Sequence, residues 1–263
     1  MKTVLITGAA KGIGFYLTSY FLASGYKVFM VDKDPALHTS AKQLENSFKK
    51  ENIIKFQTDI TSKHGIPIIK STIRDEKLNI DILINNAGIG QHSTLIDTPS
   101  DRMTDLMNVN FFAADNLIRA VIPTMIENGS GQIVNVCSGQ VFFNLPTWAA
   151  YTCTKAALSA YSEALYHELK PKGITVTTVY PFMVNTGFYN DVKGQTLGGK
   201  LSMILLPLYS MKPEKVAKII YQAVLKKKRR EMVSMLNYAG QLINTFPPLS
   251  NIVGKISNYI LTK

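Results

Sequence analysis

Thr3-Val4-Leu5-Ile6-Thr7-Gly8-Ala9-Ala10-Lys11-Gly12-Ile13-Gly14 is the stretch that decides the fold. The aliphatic run Val4-Leu5-Ile6 enters a glycine-rich turn, and a helical pattern from Ile13 to Ser24 leaves it. In such an arrangement backbone N–H groups and a helix N-terminus meet an anion such as a pyrophosphate, and the missing side chains let it approach closely. The spacing is Gly-x-x-x-Gly-x-Gly rather than Gly-x-Gly-x-x-Gly, and glycines after a strand often mark only a tight turn. The rest of the chain has to decide between these readings.

Outward from that stretch, six more short apolar runs follow: Val28–Val31, Ile53–Phe56, Ile82–Ile84, Ile133–Val136, Thr175–Val179 and Met232–Val233. Helices are expected between them, near Ile13–Ser24, Pro35–Lys50, Ser62–Lys77, Asp101–Asn128, Trp148–Lys170 and Pro213–Lys227. Strands that read as continuous apolar runs are buried on both faces, and parallel pairing needs the helical crossovers. The expectation is a doubly wound parallel α/β sheet of about seven strands with helices on both faces, in one domain over 1–263. The connection 181–212 is too long for an ordinary strand-to-helix turn. It carries Phe182, Phe188, Tyr189, Leu201, Met203, Ile204, Leu205, Leu206 and Met211, and reads as a lid over a substrate.

Two further features carry chemistry. Asp32 closes the second strand, where a carboxylate can accept hydrogen bonds from an adenosine ribose or simply serve a turn before Pro35. Tyr151 and Lys155 lie four residues apart on a helical stretch, which puts phenol and ammonium on one face. A phenol with a reference pKa of ~10 is a poor base near neutrality, and a nearby cation favours its ionised form. Such a pair can pass a proton to or from an alcohol oxygen, although Tyr-x-x-x-Lys alone is common and usually structural.

Together these motifs resemble the short-chain dehydrogenase/reductase family over essentially the whole chain. Thr7 to Gly14 is similar to its Thr-Gly-x-x-x-Gly-x-Gly cofactor motif, Asn85-Asn86-Ala87-Gly88 to its Asn-Asn-Ala-Gly signature, and Asp59 to the acidic residue beside the adenine. The resemblance implies a Rossmann-like fold and a catalytic set of Asn110, Ser138, Tyr151 and Lys155. It implies a cofactor site from Thr7, Gly8, Lys11, Gly12, Ile13, Gly14, Asp32, Asp59, Ile60, Asn86, Ala87, Gly88, Tyr151, Lys155, Pro181, Val184 and Thr186. Phe182 departs from the family's Pro-Gly-x-x-x-Thr stretch, where a glycine stands.

By this resemblance the chain transfers a hydride between a nicotinamide and a substrate carbon. Tyr151 is then the acid/base, Ser138 holds the substrate oxygen, Lys155 binds the nicotinamide ribose, and Asn110 holds a water of the proton relay. Asp32 favours NAD by repelling the extra phosphate of NADP, while Lys11 and Lys33 pull toward NADP; NAD is expected. Val184 to Phe188 looks like the lipid-, retinol- and steroid-directed branches, which with the apolar loop suggests a lipophilic alcohol or carbonyl substrate. The competing class is a catalytically idle dinucleotide-binding regulator or scaffold.

His38, His64, His92 and His167 have no metal-like spacing, so no metal is expected, and only His92, after a strand end, could face the pocket. Cys137 and Cys153 are expected to be free thiols without a role. Phe142, Phe143, Leu145 and Trp148 read either as pocket wall or as core.

The chain of 263 residues is 46% hydrophobic and 18% charged, which excludes a disordered or low-complexity protein. Its net charge of +11 is concentrated toward the end: the stretch 212–263 holds ten Lys/Arg against Glu214 and Glu231. Lys226-Lys227-Lys228-Arg229-Arg230 reads first as a solvated helix end, then as a contact with an anionic membrane; nucleic acid is disfavoured because no aromatic-basic interleaving accompanies it. The tail 236–263 is amphipathic, with Ile252, Val253, Ile256 and Ile260 on one face. That face is expected to dock on its own domain or on a twin subunit of a homodimer or homotetramer, ahead of a membrane. No run approaches the ~20 apolar residues of a spanning helix, and the first strand leaves no room for a cleavable signal, so a cytoplasmic location is expected, with peripheral membrane contact as the variant.

Overall fold

The computed structural model describes residues 1–75, 78–143, 145–189 and 210–262. The chain alternates strand and helix: β1 (Thr3–Thr7), α1 (Gly12–Ala23), β2 (Lys27–Asp32), α2 (Ala36–Glu45), β3 (Ile53–Gln57), α3 (Gly65–Asp75) and β4 (Ile80–Asn85). It continues with α4 (Ser100–Met107), α5 (Ala113–Glu127), β5 (Gly131–Val136), α6 (Ala149–Leu169), β6 (Ile174–Tyr180), α7 (Pro213–Leu225) and β7 (Arg230–Met232). Two helices, α8 (Met235–Thr245) and α9 (Pro247–Thr262), follow the last strand.

All seven strands pair in parallel in the order β3-β2-β1-β4-β5-β6-β7. This is the doubly wound, Rossmann-like sheet expected. The strand order reverses between β1 and β4, so a crevice opens beyond their C-terminal ends, where such sheets take ligands. Alternate residues of each strand feed two cores. Val4, Ile6, Ile82 and Ile84 meet α1, α2 and α7 through Leu17, Phe21, Leu37 and Ile220. Leu5, Phe29, Leu83 and Ile133 meet α3, α5 and α6 through Ile69, Leu117, Val121 and Leu165. The period of two along a doubly covered strand produces this division.

Some expected boundaries move. The helix expected over 101–128 is interrupted by a π-turn at Asn108–Phe112, and π-turns often mark functional positions because they re-aim a side chain. The last strand is Arg230–Met232 rather than Met232–Val233; Val233 N–H still donates to Tyr180 O at 3.3 Å. The amphipathic tail is two helices meeting at Phe246, and Ile252, Ile256 and Ile260 are 55%, 56% and 54% exposed, so of the two expected covers, the chain's own domain and a twin subunit, the first does not cover these three side chains. Among the described residues no helix is long and apolar enough to cross a membrane.

Candidate functional site

The glycine turn is built by contacts across the β1–β4 seam. The Thr7 hydroxyl accepts from the N–H groups of Asn86 and Ala87, both at 3.0 Å, and the Asn86 amide donates to Thr7 O and Gly8 O at 2.9 and 3.2 Å. Gly8 needs its left-handed φ of +65°, and a methyl group at Gly14 would overlap the Gly8 carbonyl, so α1 starts tight against the turn. Lys11 at the N-cap makes no side-chain cap bond and no acidic residue stands in the first turn. The first N–H groups of α1 therefore suit a pyrophosphate. Thr186 lies over the same cradle: a methyl group at Gly12 would come 3.2 Å from its Cγ2.

Asp32 sits at the end of β2 with Oδ2 accepting from Ala10 N–H at 2.9 Å and Oδ1 from Asp34 N–H at 3.0 Å. Lys11 pairs with Asp34, not Asp32, at 2.6 Å, and that bond holds the Asp34 carboxyl below its ordinary range. Lys33 lies 3.8 Å from Asp59. Burial works to raise the Asp59 carboxyl, but two bonds from Thr61 and the Lys33 ammonium outweigh it and hold it low. The two lysines flagged in the sequence are thus each engaged by a carboxylate. Asp34 was missed there, although Asp-Lys-Asp at 32–34 carried the signal.

Four candidate catalytic side chains come to the C-terminal edge of the sheet. Asn110 lies in the π-turn, where its Oδ1 accepts from Ile89 N–H at 2.9 Å and its Nδ2 donates to Ile89 O at 3.0 Å and Thr154 Oγ1 at 2.9 Å. Ser138 follows β5, and its Oγ accepts from Gln140 N–H at 3.1 Å. Tyr151 and Lys155 are buried on α6. Lys155 Nζ donates to Val136 O at 2.9 Å, and burial pulls its pKa down to about 8. Burial likewise pushes Cys137 up to about 12, leaving an inert thiol.

A buried chain that the sequence did not disclose anchors α6: Asn85 Nδ2 donates to Asn135 Oδ1, and Asn135 Nδ2 to Ser162 Oγ, both at 2.8 Å. It fixes the helix bearing Tyr151 and Lys155 against β4 and β5. His92 is a similar tie. Its Nε2 bonds Thr147 Oγ1 at 2.8 Å, its ring meets Trp148 edge-on at 5.1 Å, and burial lowers its pKa.

A cleft of about 550 Å³ brings Gly8, Gly12, Asp32, Asn86, Ser138, Tyr151, Lys155, Pro181, Val184 and Thr186 onto one surface. An adjoining recess of about 320 Å³ shares Lys33, Gly88 and Phe188 with it and holds Asp59. Thr7, Gly14, Ile60 and Asn110 support these walls without lining either space. Trp148 and Phe188 flank the Tyr151 ring at 5.8 and 5.5 Å. By contrast Phe142 packs on Tyr180 at 4.9 Å and Phe143 on Phe182 at 4.9 Å, away from the cleft. The ends of the 181–212 connection are tied by Met211 N–H to Met183 O at 2.8 Å and Asn185 N–H to Met211 O at 2.9 Å. Leu201, Met203, Ile204, Leu205 and Leu206 lie outside the described residues.

The profile of the short chain dehydrogenase family matches residues 2–196. A fatty acyl-CoA reductase of Acinetobacter baylyi is 29% identical over 259 residues, covering 97% of this chain and 83% of that protein. Human epidermal retinol dehydrogenase 2 is 28% identical over 251 residues, covering 94% and 79%. The crystal structure of the bulky-bulky ketone specific alcohol dehydrogenase from Comamonas testosteroni superposes with a TM-score of 0.76 at 27% identity, covering 88% of this chain and 86% of that one.

Proposed function

The chain belongs to the short-chain dehydrogenase family, and from that premise we propose that it interconverts a lipophilic secondary alcohol and its ketone, with NAD as the preferred dinucleotide. The observation that carries this reading is the cleft itself, which places Ser138, Tyr151 and Lys155 beside the glycine cradle and Asp32. A nicotinamide bound there would supply the hydride acceptor or donor. The rest is done by side chains. Ser138 Oγ accepts from Gln140 N–H, so its own hydrogen is free to hold a substrate oxygen. Tyr151 carries the proton to or from that oxygen. Lys155 spends one of its three N–H bonds on Val136 O, which leaves two for the ribose hydroxyls and keeps positive charge on the tyrosine's helix face. Asn110, bonded both ways to Ile89, keeps the π-turn in register with Thr154.

The substrate class rests on Trp148 and Phe188 around the Tyr151 ring, the apolar residues of the proposed 181–212 lid, and the retinol and acyl chains in the relatives' names. The test is a series of secondary alcohols differing only in chain length. Catalytic efficiency should rise by up to about fourfold per added methylene, the equivalent of ~0.8 kcal/mol, until the pocket is full. Tyr151→Phe should bind NAD(H) normally yet lose about 10²- to 10⁴-fold in turnover across the series. A flat profile, or a preference for compact polyols, refutes the substrate class; near-normal turnover by Tyr151→Phe refutes the mechanism.

A further inference from the structure

We infer that Asn237, on α8 beyond the last strand, is a positioning residue for Ser138. The inference rests on the dehydrogenase reading above. Ser138 stands on a short turn leaving β5, pinned on one side by Gly139 N–H donating to Pro181 O at 2.7 Å and internally by the Gln140 N–H to Ser138 Oγ bond. Asn237 braces the same junction from the tail helix. It is fully buried, and its Nδ2 donates to Tyr180 O at 2.6 Å, one residue before the Pro181 that receives Gly139. A methyl group at Gly139 would overlap the Asn237 amide oxygen, so helix and turn are in direct contact beside the serine. One helical turn on, Gly240 makes room for the Phe143 ring at the end of the same turn.

Phe143 in turn stacks on Phe182 at 4.9 Å with ring planes 24° apart. Phe182 stands where the family motif has glycine, and its ring backs the Phe143 ring that Gly240 receives, so this departure packs the segment after β6 onto the serine turn. Burying a carboxamide needs a reason, because an apolar residue would cover the sheet without desolvating two polar groups. Among the described residues, Asn237 Oδ1 and Gln140 Nε2 are both buried without a partner, an acceptor and a donor on segments that touch. The clamp itself is the Asn237 Nδ2 bond to Tyr180 O together with the close approach of its Oδ1 to Gly139. Since displacements of about 1 Å at a reacting group can cost on the order of 10²-fold in rate, a contact that fixes Ser138 Oγ is felt in turnover before it is felt in cofactor binding.

The test uses the full chain loaded with dinucleotide. Asn237→Leu should lower kcat by about tenfold or more while dinucleotide Kd stays within about twofold, with a larger primary deuterium isotope effect as the chemical step becomes limiting. Gly139→Ala approaches the same contact from the other side and should also slow turnover, and adding Asn237→Ala should restore part of it by making room. A kcat within about twofold of the native value, or a loss of kcat matched by an equal loss of dinucleotide affinity, overturns the inference. Absence of turnover by the native protein on the alcohol series would instead be a failure of the dehydrogenase reading. In that case hydrogen exchange decides: the Gly139 and Gln140 N–H groups, bonded to Pro181 O and Ser138 Oγ, should exchange faster in Asn237→Leu, and unchanged exchange overturns the clamp.

Discussion

Helices α1 and α9 read alike in sequence, each a run of apolar residues at helical spacing, yet the structure treats them in opposite ways. Leu17 and Phe21 of α1 are wholly buried, with Phe21 edge-on to Tyr221 of α7 at 5.1 Å. Ile252, Ile256 and Ile260 of α9 stay more than half exposed. The cause is connectivity. α1 joins β1 to β2, which pair in parallel, so the crossover must lie on a sheet face and its apolar stripe meets a fixed partner. α9 follows α8 directly and, among the described residues, is not a crossover between two paired strands. An apolar pattern announces a face, while the strands on either side decide what covers it.

The largest effect that could break this contrast is on stability. Phe21→Ala should cost about 3–5 kcal/mol through lost burial and a residual cavity. Ile256→Ala should stay within about 0.5 kcal/mol, as for other exposed positions. Urea unfolding of the two variants decides it, and equal losses would mean that α9 is covered in solution.

The same contrast governs what could be read from the sequence. Between β1 and β6 the glycine turn, Asn85 to Gly88 and Ser138 each stand at a strand end, so the sheet delivers Thr7, Asn86 and Ser138 to one edge, where α6 starts with Tyr151 and Lys155. The π-turn at Asn110 was not legible because one extra residue in a helical turn leaves the apolar period almost intact. The Asn85–Asn135–Ser162 chain was hidden for another reason: three polar residues far apart in sequence become partners only when β4, β5 and α6 pack. Asn237 was the least legible, since its task depends on how a helix without a crossover settles against a turn a hundred residues earlier.

Within the cofactor end, the next effect concerns Asp34. A 2′-phosphate would meet Asp32, which repels it, and Lys11, which would attract it were it not held by Asp34 at 2.6 Å. The native protein should therefore bind NAD(H) more tightly than NADP(H). Asp34→Ala should free Lys11 and shift the ratio toward NADP(H) by about tenfold, a modest change because the pair is exposed and screened. Asp34→Ala with Lys11→Ala should reverse the shift. Fluorescence titration with the two reduced dinucleotides measures both. A native preference for NADP(H) would show that Lys11 and Lys33 outweigh the three carboxylates around them.

The smallest effect lies on the tail and asks what its bare face meets. Met235, Leu236, Leu242, Ile252, Ile256 and Ile260 are all exposed on α8 and α9, as is Phe246 between them, and no acidic residue follows Glu231. A twin subunit and a lipid surface are the two candidate covers. A two-fold contact through α9 would set Lys255 against its own copy without a carboxylate from either tail, whereas an anionic bilayer takes both the apolar face and the lysine. The basic cluster 226–230 contributes little to such a contact. It leads into β7 at Arg230 and so lies at the N-terminal edge of the sheet, while α8 starts beyond the C-terminal edge, and Lys228, Arg229 and Arg230 are already paired with Glu231 and Glu163. Binding to phosphatidylcholine vesicles containing phosphatidylserine should therefore depend on apolar area more than on salt. Ile256→Ala should weaken sedimentation with vesicles by about tenfold at most, since an interfacial helix buries only part of the three carbons removed, while raising salt within the physiological range should weaken it only by about the share of one lysine. A steep salt dependence would return the contact to the basic cluster. A native dimer that Ile256→Asp converts to monomer, with no vesicle binding, would give the face to a twin subunit instead.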